Sequence, residues 1–363
     1  MQEKQEMNIK KLSSVKIIVI VLLIISVIVF GSLSWFTMSK EVEGSKLSMK
    51  SDLDSFELAV PERTDAETYY NAKINGLGYL TGNDNLSTTD GSIRWVMKDE
   101  STNISSEDYK GFRPGSYGRL TFYILPNSDA DTSYTFELKM TGYYAEFVPD
   151  SNDEQVLTKE IKANTFQTLS EKANGDATSD YALAANYLKG HILFFQNHKA
   201  LTSEGETDTN LYYSGRIADT FTYNTADHQA EKTTWNGHLA YEVNIFWIWP
   251  NTFGQIVLDS NDDNLYGDAM FSSNQSGTIT PRNDLINYIA NNPGYFFSTS
   301  DLIEQDATSL TEKMSKESLS TTNSLIALSN GYNDADQVIG ENVQFILVEL
   351  TADKGSSTGS AGN

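Results

Sequence analysis

The clearest pattern in the chain is a period of two. From Ser133 to Met140, the residues Tyr134, Phe136, Leu138 and Met140 alternate with Thr135, Glu137 and Lys139. Such alternation gives a strand one buried and one wet face. Upstream, Leu120, Phe122 and Ile124 alternate with Thr121 and Tyr123, and the link Pro126–Asp131 is rich in turn formers, so the two runs predict an antiparallel pair. In Glu242–Trp249, Val243, Ile245, Trp247 and Trp249 share one face, and Phe246 and Ile248 make the other apolar as well, which predicts a central strand. Pro250 stops it, and Asn236-Gly237 before it fits a type I′ hairpin turn. Further strands are predicted over Ile93–Met97, His191–Gln196, Gln255–Leu258 and Val343–Leu350. Helices read as minority insertions: Tyr181–Leu188 capped by Asp180, Leu285–Ala290 capped by Asn283 or Asp284, and a weaker amphipathic stretch over Ser300–Leu319. The expected fold is mainly β, a jelly roll or other antiparallel β-sandwich with helical insertions.

One segment breaks this pattern. Lys4, Lys10, Lys11 and Lys16 precede an apolar run from Ile17 to Phe30 with no polar face, which softens into Gly31-Ser32-Leu33-Ser34 before Trp35-Phe36. Basic, apolar and small-residue regions in that order make a secretory signal, with Ser32 and Ser34 at the small-residue positions and cleavage before Trp35. An uncleaved anchor fits too, since 20 residues from Ile17 to Phe36 span about 30 Å as a helix. Either way an N-terminal hydrophobic helix engages the membrane at least transiently, with its lysines cytoplasmic. The rest is then secreted or displayed on the outer face of the cell membrane. The division is residues 1–34 as signal or anchor, 35–354 as one elaborated domain, and 355–363, GSSTGSAGN, as a flexible tail.

Composition narrows the partners. The 363 residues hold 26 Lys+Arg against 49 Asp+Glu, a net charge of -23. Residues 1–34 carry four Lys and two Glu, so the remainder has 22 basic and 47 acidic side chains, a net -25. Such an excess argues against a nucleic-acid backbone as partner. The absence of cysteine removes disulfides, thiolate metal sites and a cysteine nucleophile. With 39% hydrophobic and 11% aromatic residues, a large core is still affordable.

From Gly31 the chain reads GSLSWFTMSKEVEGSKLSMKS, followed later by Arg113-Pro114-Gly115-Ser116-Tyr117-Gly118-Arg119-Leu120-Thr121-Phe122. The first stretch resembles the start of the TasA/camelysin family of secreted fibre-forming proteins, with Gly44, Ser45, Leu47 and Met49 on the motif of the first mature strand. The second is similar to the family's Pro-Gly turn leading into a jelly-roll strand. The resemblance covers the signal region and residues 35–145. It implies a cell-surface or extracellular-matrix structural protein whose subunits polymerise, self-associating or joining other matrix proteins. In such fibres an N-terminal strand completes the sheet of the next subunit, and here Phe36, Met38, Val42, Leu47 and Met49 lie in the donated segment. An uncleaved anchor would block donation and leave a membrane-anchored binding or adhesin domain. A hydrolase with an unrecognised site is the third reading.

Motifs for chemistry are sparse. Camelysin-like proteins have been grouped with metallopeptidases, yet His-Glu-x-x-His is absent; His191 and His198 are seven apart, His228 and His238 ten. Both glycine-rich nucleotide loops are missing too, and no catalytic residue, cofactor site or enzyme activity is assigned. Calcium is the better metal candidate. Asp259, Asn261 and Asp263 alternate like the start of an EF-hand loop, with Asp262 and Asp268 as further oxygen ligands. The match breaks at Asn264, where Gly is needed, and at Met270, where Glu is needed; a solvated acidic loop is the plainer reading. Among the aromatics that could stack on sugars, Trp235 beside its turn is the exposed candidate, whereas Trp247 and Trp249 read as core. Finally, Tyr223-Asn224-Thr225-Ala226-Asp227 matches Tyr332-Asn333-Asp334-Ala335-Asp336 at four of five positions, which predicts two similar turns or an old duplication.

Overall fold

A computed structural model describes residues 56–60, 69–74, 80–82, 87–88, 92–97, 113–146, 165–198, 213–258, 270–271, 280–320 and 322–354. Fourteen strands are present among them: β1 Phe56–Ala59, β2 Tyr69–Ile74, β3 Leu80–Gly82, β4 Ser87–Thr88, β5 Ser92–Met97, β6 Tyr117–Pro126, β7 Ser133–Tyr144, β8 Gln167–Thr168, β9 Leu193–His198, β10 Tyr213–Ile217, β11 Thr220–Asn224, β12 Lys232–Trp235, β13 His238–Ile248 and β14 Phe345–Lys354. Eight α-helices accompany them: α1 Leu169–Ala173, α2 Asp180–His191, α3 Phe253–Val257, α4 Thr280–Asn291, α5 Ser300–Ile303, α6 Ala307–Lys313, α7 Lys316–Leu319 and α8 Thr322–Asn342.

The strands form two antiparallel sheets. Sheet one runs β10-β9-β13-β6-β1-β4, with β12 also on β13; sheet two runs β11-β7-β14-β5-β2-β3, with β8 also on β7. The alternation read from the sequence decides which residues face inward. Leu120, Phe122 and Ile124 of β6 meet Tyr134, Phe136 and Leu138 of β7, Trp95 of β5 and Val348 and Leu350 of β14 in one buried cluster. Phe122 lies 6.1 Å from Trp95 and 5.3 Å edge-on from Phe136, so its ring belongs to sheet one and its neighbours to sheet two. Contacts of this geometry add about 0.5–1.5 kcal/mol each beyond their burial.

A second core lies on the other face of sheet one. Leu193, Phe195, Tyr213, Phe246 and Ile248 pack there against Phe253 of α3, Leu285 and Ile289 of α4, and Leu328 and Tyr332 of α8. The doubly apolar β13 is therefore central, and its second face is covered by helices. Helix α8 joins the cores: Leu325, Leu328 and Tyr332 belong to the outer one, Ala335 and Ile339 to the inner one.

Several sequence expectations are corrected. Strands β6 and β7 do not pair; they lie in different sheets, and the Pro126–Asp131 link crosses between them. Helices are more than minority insertions: eight α-helices stand beside the fourteen strands among the described residues. Gln255–Leu258 is not a strand but lies mostly within α3. The cap of α2 is Ser179, whose side chain accepts from the Ala182 N–H, and α4 begins before Asn283 and Asp284, so neither caps it. Ser300–Leu319 breaks into α5, α6 and α7. By contrast, Asn236 and Gly237 take φ of 49° and 82°, as the type I′ turn between β12 and β13 requires. The Pro114-Gly115 turn also leads into β6, with Gly115 at φ 91°.

Candidate functional site

Three features stand out where the layers meet, the first a buried polar joint. Helix α2 ends on His191, which is 0% exposed. Gly190 makes the position possible, because a Cβ there would collide with the Tyr295 carbonyl. His191 Nδ1 lies 2.6 Å from Asp336 Oδ1 on α8, and Nε2 lies 3.2 Å from the Phe296 carbonyl oxygen. Trp249, just past β13, donates its indole N–H to the same Asp336 oxygen at 2.6 Å. Tyr332 stacks on the imidazole at 4.0 Å and 15°. Both imidazole nitrogens thus face acceptors. The Tyr332 hydroxyl finds no hydrogen-bond partner, and burial, followed by the nearby Asp336, pushes its pKa well above the ordinary tyrosine range.

A histidine beside a carboxylate invites comparison with a hydrolase dyad. Here Nε2 is already engaged by a backbone carbonyl and the ring is sealed from solvent, so it has no free nitrogen to activate a nucleophile. The arrangement ties α2, α8 and the end of β13 together. The sequence pattern places His191 at the start of a strand; it is the last residue of a helix and fully buried.

Second is a cleft of about 540 Å³ between β10 and α4, lined by Gly215, Arg216, Asp284, Asn287, Tyr288 and Asn291, with Asn292 at its end. The Arg216 guanidinium lies over the Tyr288 ring, 4.1 Å from its centre. Its Nε is buried without a hydrogen-bond partner, and burial lowers its pKa. Asp284, Asn287 and Asn291 follow the helical repeat that keeps Leu285 and Ile289 on the buried side. That stripe was legible only as the wet face of an amphipathic helix, and nothing in the spacing pointed to Arg216.

Third are the sheet edges. β10 is kinked by Gly215 at φ 68°, and its Tyr213 N–H already donates outward to the Met270 carbonyl at 3.0 Å. β4 and β3, at the opposite edges, have two and three residues. β11 is regular and pairs over its full length with β7; among the described residues no strand flanks its other side. The Leu138 N–H donates to the Asp219 carbonyl at 2.7 Å, which fixes the phase of the ladder. Phe221 and Tyr223 therefore bond to β7, while Thr220, Thr222 and Asn224 turn their main-chain groups away from it. No Lys or Pro guards this edge.

Ser32, Ser34 and Trp35, the donated residues Phe36, Met38, Val42, Leu47 and Met49, and the calcium candidates Asp259, Asn261, Asp262, Asp263 and Asp268 lie outside the described residues. Among the described residues no three His, Asp or Glu side chains converge as a metal site would need, and no helix is long and apolar enough to cross a membrane. Met270, the EF-hand mismatch, is 1% exposed. Trp95, Trp247 and Trp249 are buried, and Trp235 is half-buried against a small cluster of Ala59, Leu125 and Ala240. His198 is buried beside Tyr213 and Phe246, whereas His228 is half-buried and stacks on Tyr223. Comparison with protein-family models, curated proteins and solved structures finds no match.

Proposed function

We propose that this is an exported cell-surface or extracellular-matrix structural protein, built on a jelly-roll-like β-sandwich, whose subunits join by adding an N-terminal strand to β11 of a neighbour. The leader read from residues 1–34 supplies the export route, and the membrane is its partner at least until cleavage. The observation that carries the proposal is the β11 edge. It is regular, carries no Lys or Pro, has no flanking strand among the described residues, and offers outward main-chain groups at Thr220 and Thr222. A strand carrying Phe36, Met38, Val42, Leu47 and Met49 would gain ladder hydrogen bonds there, and its alternating side chains would set the register.

Thr222 gives a direct test. Proline at 222 removes a donor that faces outward and leaves the bonds to β7 in place. Chains beginning at Trp35 are expected to form fibres visible by electron microscopy and to sediment as large species. Thr222→Pro should hold them monomeric with a melting temperature within a few degrees of the parent. A parent that stays monomeric over a wide concentration range, or a Thr222→Pro chain that polymerises equally well, overturns the proposal.

A further inference from the structure

We propose that the cleft between β10 and α4 binds a neutral saccharide, with Arg216, Asp284 and Asn287 as its polar contacts. This goes beyond assembly and does not rest on it. The cleft leaves several polar groups unsatisfied. Arg216 is held by its stack on Tyr288, yet its guanidinium makes no hydrogen bond to the protein, and its Nε is buried. A guanidinium kept in a fixed plane with open N–H groups is a fork prepared for a ligand's oxygens. Asp284 and Asn287 likewise make no side-chain hydrogen bond and face the same space. Asn291 and Asn292 spend their amide N–H groups on the carbonyls of Asn287 and Tyr288, at 2.7 Å and 3.0 Å, which leaves their Oδ1 atoms as acceptors.

The mixture of charges selects the ligand. An anion drawn to Arg216 would meet the Asp284 carboxylate, and a cation drawn to Asp284 would meet Arg216. A neutral ligand dense in hydroxyls suits both, because each hydroxyl donates and accepts. About 540 Å³ is within the usual range of small-ligand clefts, and the site is open and polar, so it suits a stretch of an oligosaccharide better than an enclosed apolar compound. The tryptophans that the sequence offered for sugar stacking are buried or half-buried, so here the guanidinium fork and the amides carry recognition.

The test is calorimetric titration of the full-length chain with neutral tetrasaccharides (cello-, chito-, malto- and mannotetraose) and with tetragalacturonate as the anionic comparison. At least one neutral probe is expected to bind saturably. Asn287→Ala, an exposed change that spares the fold, and Arg216→Lys, which keeps the charge and loses the fork, should each weaken that binding roughly tenfold. Melting temperatures of both variants report that the fold is intact. Absence of binding by every neutral probe at about 10 mM overturns the proposal. So does binding that both variants retain in full, or binding of tetragalacturonate alone.

Discussion

Sheet one is packed on both faces, and the two faces are built differently. Toward sheet two it presents Phe122, Val243, Ile245 and Trp247 to a partner of the same regular geometry, and the rings of Phe122, Phe136 and Phe221 form a continuous contact. Toward the helices it presents Leu193, Phe195, Phe246 and Ile248 to separate pieces, from the five residues of α3 to the 21 of α8. Two twisted sheets hold each other in register through many strands at once. Helices packed one by one have no such lattice, and an apolar surface alone leaves them free to slide. The His191–Asp336–Trp249 joint lies where α2, α8 and β13 converge, and directional hydrogen bonds supply there the register that area cannot.

The strongest way to break this contrast is Asp336→Ala. It strips acceptors from both the imidazole and the Trp249 indole in a closed interior. The expected loss is about 3–5 kcal/mol in urea unfolding, with a red shift of Trp249 emission. If Asp336→Ala unfolds at the parental urea midpoint, the joint does not set the register.

A smaller effect separates the two buried histidines. His191 has partners at both nitrogens, whereas burial beside Tyr213 and Phe246 lowers the His198 pKa to about 4. An unfolded histidine titrates near 6.5. The fold therefore prefers neutral His198, and its contribution is complete above about pH 6.5 and lost as pH falls toward about 4. The loss attributable to this residue is of order 3 kcal/mol. His198→Phe should flatten the stability profile in that window by this amount; a profile parallel to the parent's would count against it.

The smallest change tests the rim of the inner core. Thr168 and Glu171 form a reciprocal capping box at the start of α1, and Leu169 of that helix is buried in the inner core. Thr168→Ala should cost about 1 kcal/mol, read as faster amide exchange in α1 with the sheets unaffected. Equal acceleration across β7 would show that α1 and the sheet open together.

What could be read in advance followed the same division. The period of two in β7 and the Asn236-Gly237 turn were legible because each is settled by neighbouring residues. Which strands pair was not: Pro126–Asp131 looks like a hairpin link, yet both its strands are long and apolar enough to serve separate sheets. Helix α8 carried a usable signal in Leu325, Leu328, Tyr332, Ala335 and Ile339, spaced by three and four, but its serines, asparagines and glycines dilute it. The paired pentapeptides show the limit most clearly. Asn224 closes a side-chain turn on the Ala226 N–H, as expected, while the nearly identical Tyr332–Asp336 is mid-helix, with Tyr332, Ala335 and Asp336 all buried. Local chemistry allowed both conformations, and tertiary packing chose between them. The polar joint brings His191 to Asp336 across distant elements, so no local pattern announced it.

The place of β14 in sheet two has a consequence for how the molecule comes into being. Residues 345–354, the last described strand in chain order, lie between β7 and β5, with Leu350 opposite both Leu138 and Ile93. A ribosome delivers β5 and β7 long before it delivers the strand that joins them. Until residue 354 has emerged, sheet two is two separate pieces with raw edges facing one another. Closure of the inner core is therefore among the last events of folding, slow because its contacts span nearly the whole chain, and a product cut short before residue 345 would keep both edges open to other molecules.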